Sequence, residues 1–566
     1  MEPRYTIGLD FGSNSMRVLV VDVRTGQELA SAVQNYPHGS SGIILDSNQP
    51  DLARQLPGDY LTCAEAGLKV ALKQAAADPG GEFSPNRVIG IGVDTTGSTP
   101  MPIDQQARSL TVLPAFANNP NAMAWLWKDH TGHAEAEEIT RLAGKMRPMY
   151  LRKIGGRYSS EWFWAKLLRC IRVAPDVADA IYSWVEIADW IPAMLAGVTS
   201  AERIRRGVCA AGHKAFYSAE WGGYPDTEFL TALHPKAAAI GRTLSQHAEC
   251  ISAVAGVLSA EWANKTGLPA GIPIAVGALD AHLGAIGAGI ADGTMVKVMG
   301  TSTCDIMVAP STRKLADIPG LCGIVSESVL PDYYGLEAGQ SAVGDLFNWW
   351  TNQIQPHGAE EGSHEALTRA AEAIAPGASG LLVLDWHNGN RTVLVDQRLT
   401  GLIIGLNLYS SPAEIYRALI EATAMGARVI MERLEEHGVP VKRVINCGGI
   451  SARNPMAMQI YADVMNRPIA ISRSLQTCAL GSAIAGAVVA GKANGGYETF
   501  ESAISAMTSV QGKVFAPQAK SVEVYEQLYR IYRRLHDAFG VPHHTEDLTD
   551  VMKSLLDLRD KARGNA

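Results

Sequence analysis

The segment IGLDFGSNSMRVLVVD, residues 7–22, sets two apolar runs on either side of a small polar loop, with an aspartate where the first run ends. The β-rich runs and the turn residues between them predict a hairpin over 5–10 and 17–22. Small residues at 12, 13 and 15 let backbone N–H groups approach an anion closely, and the hydroxyls add donors. Asp10 would repel that anion unless a cation stood between them, so a phosphate cradle here implies a divalent metal, most simply Mg²⁺. Taken alone, the segment fits a plain surface hairpin equally well. It does not fit an EF-hand, because Ser15 and Val21 stand where glycine and glutamate are required.

The rest of the chain repeats the plan. TMVKVMGTSTCDIMVAP (294–310) is again strand, small polar loop GTSTCD (300–305), strand. VIGIGVDTTGSTPMPID (88–104) is a buried strand with a polar loop at its carboxyl end, and VKRVINCGGISARNPMAMQIYADVMNRPI (441–469) gives strand, Gly-Gly turn, helix, strand. Helices are expected over 58–77, 159–171 and 181–196. Each half thus carries a hairpin with a polar tip, then a buried strand and helices, which predicts two related α/β domains with a cleft between them. Residues 355–377 read as an inserted surface helix with loops. In 521–537, Val524, Leu528, Tyr532 and Leu535 share one helical face that should dock, and 545–566 is charged and expected to be peripheral. GAVVAGKA (486–493) resembles a P-loop but has Ala493 in place of Ser or Thr, and reads as a helix end.

Composition narrows the function. A chain of 566 residues with 47% hydrophobic content has room for two to four domains. Its formal net charge of −8, from 57 acidic and 49 basic residues without long runs, gives no footprint for nucleic acid or an anionic membrane and leaves a small-molecule substrate as the expectation. The eight cysteines show no paired spacing and read as free thiols in a reducing compartment. No secretory pattern opens the chain and no apolar run is long enough to span a bilayer, so a cytoplasmic location is expected. His130 and His133 have a metal-like spacing but no further Cys or His beside them, and read as a loop and helix start.

The order of the motifs is specific. D-x-G-x-x-S-x-R (10–17), G-T-S-T (300–303), C-G-G (447–449) before a helix bearing Asn454, and GLIIGLNLYSSPAEIYRALIEA (401–422) resemble the phosphate loops, adenosine motif and C-terminal signature of the FGGY carbohydrate kinase family. Within the family, VDTTGSTPMPID, NPNAMAWLWKDHT, IGGRYSSEWFWAK, GHKAFY, WGGYP and GLEAGQSAVGD resemble the branch that acts on L-ribulose. The resemblance implies an α/β fold of two actin-like (ribonuclease H-like) domains, 5–289 and 294–492, with an interdomain ATP/sugar cleft and a helical extension over 493–566. It implies an enzyme that uses ATP and Mg²⁺ to phosphorylate L-ribulose at the 5-hydroxyl, giving L-ribulose 5-phosphate and ADP in L-arabinose catabolism. Another pentulose or pentitol, such as D-ribulose, L-xylulose or ribitol, and a non-kinase actin-like ATPase are the alternatives, and a homo-oligomer is left open.

Carried over by position, the resemblance makes Asp280 catalytic. It assigns Asp10, Gly12, Ser13 and Asn14 to the first phosphate loop, Gly300, Thr301 and Ser302 to the second, and Gly448, Gly449 and Asn454 to the adenosine motif, with Gly344 bordering the nucleotide. Asp10 would reach Mg²⁺, directly or through water. The sugar would meet Ser98 or its neighbour Gly97, Trp127, Lys214, Asp280 and Glu337. Read without the resemblance, Asp280 fits a helix N-cap better than catalysis, Trp127 fits a core position equally well, and Lys214 and Glu337 fit an ordinary surface. With an ordinary carboxylate pKa, Asp280 is expected to be ionised at neutral pH and to orient the hydroxyl in line. His282, two residues on, receives no role.

Overall fold

The computed structural model describes residues 2–564 apart from 79, 81, 357–359 and 361. Strand β1 (Tyr5–Phe11) pairs antiparallel with β2 (Ser15–Asp22), and every residue of β1 is buried. β2 continues antiparallel to β3 (Glu28–Asn35), while β4 (Val88–Thr95) lies parallel to β1 on its other side. β5 (Val254–Val257) closes the edge antiparallel to β6 (Pro273–Ala275), which runs parallel to β4, and β7 (Ala278–Leu279) also pairs with β4.

The second sheet uses the same order. β8 (Thr294–Met299) pairs antiparallel with β9 (Thr303–Pro310). β10 (Gly323–Ser326) is the outer edge, antiparallel to β11 (Tyr333–Ala338), which is antiparallel to β9. On the far side β12 (Arg443–Cys447) runs parallel to β8, β13 (Ile469–Ser472) parallel to β12, and β14 (Val510–Phe515) antiparallel to β13. Each half therefore begins with an antiparallel hairpin whose first strand is flanked by a parallel one. Both polar tips lie at the carboxyl ends of parallel strands, the place where open α/β sheets bind ligands.

Helix α1 (Pro57–Ala76) packs on the first sheet through Tyr60, Ala64, Leu68 and Ala71. α2 (Val208–Lys214) lies against β10, where a Cβ at Gly212 would collide with the side chain of Val325. Between the sheets lie α3 (Asp280–Ala288) and, far along the chain, a helix that follows α4 (Gly344–Asn348), α5 (Pro412–Glu436) and α6 (Pro455–Met465), namely α7 (Thr477–Ala490). In α7, 11 of 14 residues are buried and its small side chains surround it on all sides, the pattern of a helix covered on both faces. Backbone meets backbone across this layer. A Cβ at Gly8, Gly90 or Gly92 would fall on the carbonyl oxygens of Ala479, Gly486 and Ser482, and one at Gly287 or Gly481 on those of Thr477 and Leu283. The glycines of 277–287 thus serve close packing. α5 opens with Pro412 and a complete capping box between Ser411 and Glu414, which is why the helix starts there.

Several expectations change. Residues 181–196 split: Ser183–Glu186 is a strand paired with Pro100–Ile103, and the helix begins at Ile187. The extension over 493–566 is neither wholly helical nor separate, because β14 joins the second sheet and α8 (Ala519–Gly540) buries Leu528, Tyr532 and Leu535 in the same core, with Val524 half-buried. The charged end is not peripheral either, since α9 (Val551–Ala562) buries Val551 and Leu555. Of the expected insertion at 355–377, residues 357–359 and 361 lie outside the described residues; His364–Glu372 is a helix with Leu367 and Ala371 in the core. All eight cysteines are free, and among the described residues no helix is long and apolar enough to cross a membrane.

Candidate active site

The carboxyl ends of β1, β4, β8 and β11 and the first turn of α3 face a cleft of ≈ 680 Å³, a size typical of small-molecule sites. Ser13, Gly97, Trp127, Lys214, Asp280, Gly300, Thr301, Ser302 and Glu337 all line it. Residues from both halves of the chain therefore share one wall.

The two tips are built alike. Gly12 N–H donates to Ser15 O at 3.0 Å and Gly300 N–H to Ser302 O at 2.9 Å, each closing a tight turn. The second tip is held from behind, because the N–H groups of Val343 and Gly344 donate to the carbonyls of Thr301 (2.9 Å) and Gly300 (3.1 Å). Gly344 also packs on this tip, where a Cβ would crowd Gly300 O, and Gly448, at φ +95°, leaves no room for a Cβ against Met299. The first tip is tied to a second loop of the same half by Trp127, whose Nε1–H donates to Ser13 Oγ at 2.8 Å.

Asp10 does not line the cleft; Arg17 Nη1 donates to its Oδ2 at 2.9 Å. Its register partner on β4 is Asp94, fully buried, which accepts from Ser482 Oγ at 2.6 Å through Oδ2; its Oδ1 has no hydrogen-bond partner among the described residues. Burial raises both carboxyls above the usual range, Asp94 far above it with the Asp10 charge adding to burial. Two buried carboxylates side by side suit a cation, and their oxygens lie within 4.8 Å of each other and of Cys478 Sγ. Asp94 is the penultimate residue of β4 as Asp10 is of β1, a parallel visible in the sequence VDTTGS.

Asp280 is the first residue of α3 and stays clear of the cap role its position suggested, since its side chain accepts only from the N–H of the next residue, Ala281, at 2.7 Å. Burial, and after it the charge of Asp10, raises its pKa to about 7, so it is not fully ionised at neutral pH as an ordinary carboxylate would be. Lys214 Nζ donates to both oxygens of Glu337 at 2.9 Å. Burial alone would raise Glu337, but the Lys214 ammonium holds it well below the usual range.

Other expected residues turn away. Ser98 is fully buried and its hydroxyl donates to Glu186, so of that pair Gly97 faces the cleft. Asn14 donates from Nδ2 to Ser41 O at 2.6 Å and braces the neighbouring loop. Asn454 caps α6, accepting from Ala457 N–H at 3.0 Å, and Gly449 begins the short helix Gly449–Arg453; neither lines the cleft. The sequence motifs passed over Thr96, Tyr158, Trp162 and Arg391, which do line it. They also passed over Lys166, whose buried ammonium donates to the carbonyls of Ser98 and Leu126 at 2.8 Å and of Trp125 at 3.2 Å, joining the loops that carry Gly97 and Trp127. Burial lowers its pKa to about 8.

The N-terminal domain model of the FGGY family of carbohydrate kinases matches residues 5–287 and the C-terminal domain model residues 295–490. The ribulokinase of Vibrio parahaemolyticus is 43% identical over 555 residues, 94% of this chain and 95% of that one. That of Geobacillus thermodenitrificans is 40% identical over 576 residues, 100% of this chain and 98% of that one. Among solved structures, xylulose kinase from Rhodospirillum rubrum superposes with a TM-score of 0.75 at 24% identity, over 94% of this chain and 99% of that one. Gluconate kinase from Lactobacillus acidophilus superposes with a TM-score of 0.77 at 17% identity, over 96% and 99%, so the two-domain fold is shared.

Proposed function

The chain belongs to the FGGY family of carbohydrate kinases, and from that premise we propose that it is a ribulokinase, transferring the γ-phosphoryl group of ATP to the 5-hydroxyl of L-ribulose. The observation that carries the reading is the full-length similarity to ribulokinases at about 40% identity. The cleft supports it, because two tight polar tips stand in the same cavity as Asp280 and the Lys214–Glu337 pair. The product enters L-arabinose catabolism, and the free thiols fit a cytoplasmic enzyme.

Phosphoryl transfer passes through a loose transition state, so the protein's work is alignment and charge neutralisation. Ser13 with Gly12, and Thr301 and Ser302 with Gly300, cradle the phosphates. Asp10 and Asp94 would hold Mg²⁺, which supplies charge neutralisation at the phosphates. Lys214 donates to sugar oxygens and Glu337 accepts from sugar hydroxyls, while Trp127 offers its ring face to the C–H side of the sugar. Asp280 orients the 5-hydroxyl and takes its proton as the O–P bond forms. A base with a pKa near the working pH suits that step better than an ordinary carboxylate.

ADP release measured over a panel of ketopentoses and pentitols tests the proposal. L-ribulose should give the highest kcat/KM and Asp280→Asn should lower kcat roughly 10²–10⁴-fold. Preference for a different sugar would reassign the substrate, and ATP hydrolysis indifferent to every sugar would remove the kinase reading.

A further inference from the structure

Behind Glu337, on the side away from the cleft, lie two histidines with no part in the chemistry above. His213 and His282 are 0% and 2% exposed and their ring centroids are 4.5 Å apart. Both face Glu337 Oε2, His213 through Nδ1 at 3.3 Å and His282 through Nε2 at 3.7 Å. His213 Nε2 lies 2.9 Å from Ser328 Oγ. Burial keeps both rings neutral: it draws His282 down to about 4 and His213, with His282 beside it, well below the usual histidine value.

A neutral imidazole carries one N–H and one lone pair. A lone pair aimed at a carboxylate repels it, so the favoured tautomer of His213 bears its proton on Nδ1 and accepts at Nε2 from the Ser328 hydroxyl, which lies closer to that nitrogen (2.9 Å) than to its other acceptor, the Val325 carbonyl (3.2 Å). The same argument puts the His282 proton on Nε2. A metal ion fits this His, His, Glu set poorly, because the Lys214 ammonium already occupies the cation position at 2.9 Å from both Glu337 oxygens.

The cluster joins the elements that form the sugar side. His213 precedes Lys214 at the end of α2, His282 shares the first turn of α3 with Asp280, and Glu337 belongs to β11. Gly323, the register partner of Glu337 on β10, is a glycine where any Cβ would strike His213 Nδ1, so the strand edge is cut back to admit the ring.

We propose that His213 and His282 are positioning residues for sugar binding, each donating one N–H to Glu337 Oε2 and so holding the Glu337–Lys214 pair in register with Asp280. The inference rests on the cleft being the sugar site. Neither contact is a finished hydrogen bond, His213 Nδ1 and His282 Nε2 being buried without a partner among the described residues, and both tighten onto Oε2 when sugar occupies the cleft, as contacts of this kind commonly do on binding.

The two donors sit on different ring atoms, which gives an atom-level test. An asparagine amide nitrogen can stand near the place of Nδ1, and a glutamine amide nitrogen near that of Nε2. At position 213, His213→Asn should keep the L-ribulose KM within about threefold of wild type, whereas His213→Gln and His213→Ala raise it about tenfold, the loss of a hydrogen bond to a charged group. At position 282 the order reverses, with His282→Gln retained and His282→Asn impaired. The KM for ATP should hold throughout and kcat should change less than the sugar KM, separating a sugar-binding role from general damage. Equal behaviour of Asn and Gln at both positions, KM changes that merely follow the melting temperature, or amide variants that all fail to fold would reduce the rings to packing and overturn the inference. If the wild type prefers another sugar, the substrate reading fails, yet the same Asn/Gln order measured on that sugar still decides the role of the histidines.

Discussion

Lys214 Nζ stands 2.9 Å from each carboxylate oxygen of Glu337, with both residues 5% exposed, so an ammonium carried by α2 and a carboxylate carried by the second sheet meet inside the cleft. Removing one member strands the other in a poorly solvated place. Lys214→Met should lower the unfolding free energy by about 3–5 kcal/mol. The double variant Lys214→Met, Glu337→Leu should regain most of that stability and none of the sugar turnover. Urea unfolding of the three proteins checks both halves, and an unchanged midpoint for Lys214→Met would contradict a buried pair.

Asp280 exchanges stability for chemistry. Its pKa is about 7 in the folded chain and ~3.9 when unfolded. The folded state therefore binds more protons between those values, and stability falls as pH rises through that window. Above it, the ionised group costs up to about 4 kcal/mol, at ~1.4 kcal/mol for each pH unit. Asp280→Asn should melt higher than wild type at pH 8, the gain vanishing below about pH 4, while kcat falls roughly 10²–10⁴-fold. Wild-type kcat/KM for the sugar should rise through about pH 7 and then level, as the base ionises. Calorimetry and a pH–rate profile read these directly.

Trp127 joins the proposed sugar and phosphate sites through its Nε1–H on Ser13 Oγ. Trp127→Phe keeps the ring face and loses the donor, so the KM for ATP should rise several-fold while stability changes by about 1 kcal/mol or less. Trp127→Ala should raise the sugar KM further. Initial rates with each substrate varied separate the two effects, and an ATP KM indifferent to Trp127→Phe would show that the tip does not need the indole.

Gly481 touches neither proposed substrate site, yet a methyl group there meets the carbonyl oxygen of Leu283. Gly481→Ala should destabilise by about 1–3 kcal/mol or more, through overpacking alone. Thermal unfolding checks it, and a wild-type melting temperature would mean that α3 and α7 can separate without penalty.

The hairpins are legible in sequence because their signal is local: two apolar runs and a tip of small polar residues, at Asp10–Asn14 and again at Gly300–Ser302. What depends on distant partners is not. Gly97 and Ser98 are equal candidates until Glu186, from another strand, takes the Ser98 hydroxyl. The composition of α7 says that it is buried but not that its cover comes from the first sheet on one side and α3 on the other. Asp280 has an ordinary pKa on paper, and only burial beside Asp10 raises it. His213 is adjacent to a recognised lysine, but its partners Ser328 and Glu337 belong to the other half of the chain. Arg391 reaches the cleft from a loop that carries no periodic pattern to announce it.

The position of α7 also sets the order in which the protein can be completed as it leaves the ribosome. One face of the first sheet, lined by Gly8, Gly90 and Gly92, is covered by a helix synthesised long after those strands. The second sheet waits longer still for α8 and α9, whose Tyr525, Tyr532 and Val551 fill its core and whose Tyr532 hydroxyl donates to Asp385 at 2.8 Å. Neither half can finish before the C-terminal segments emerge. The nascent chain therefore carries open apolar surface until those last segments are made, the kind of surface that exposes a folding chain to aggregation.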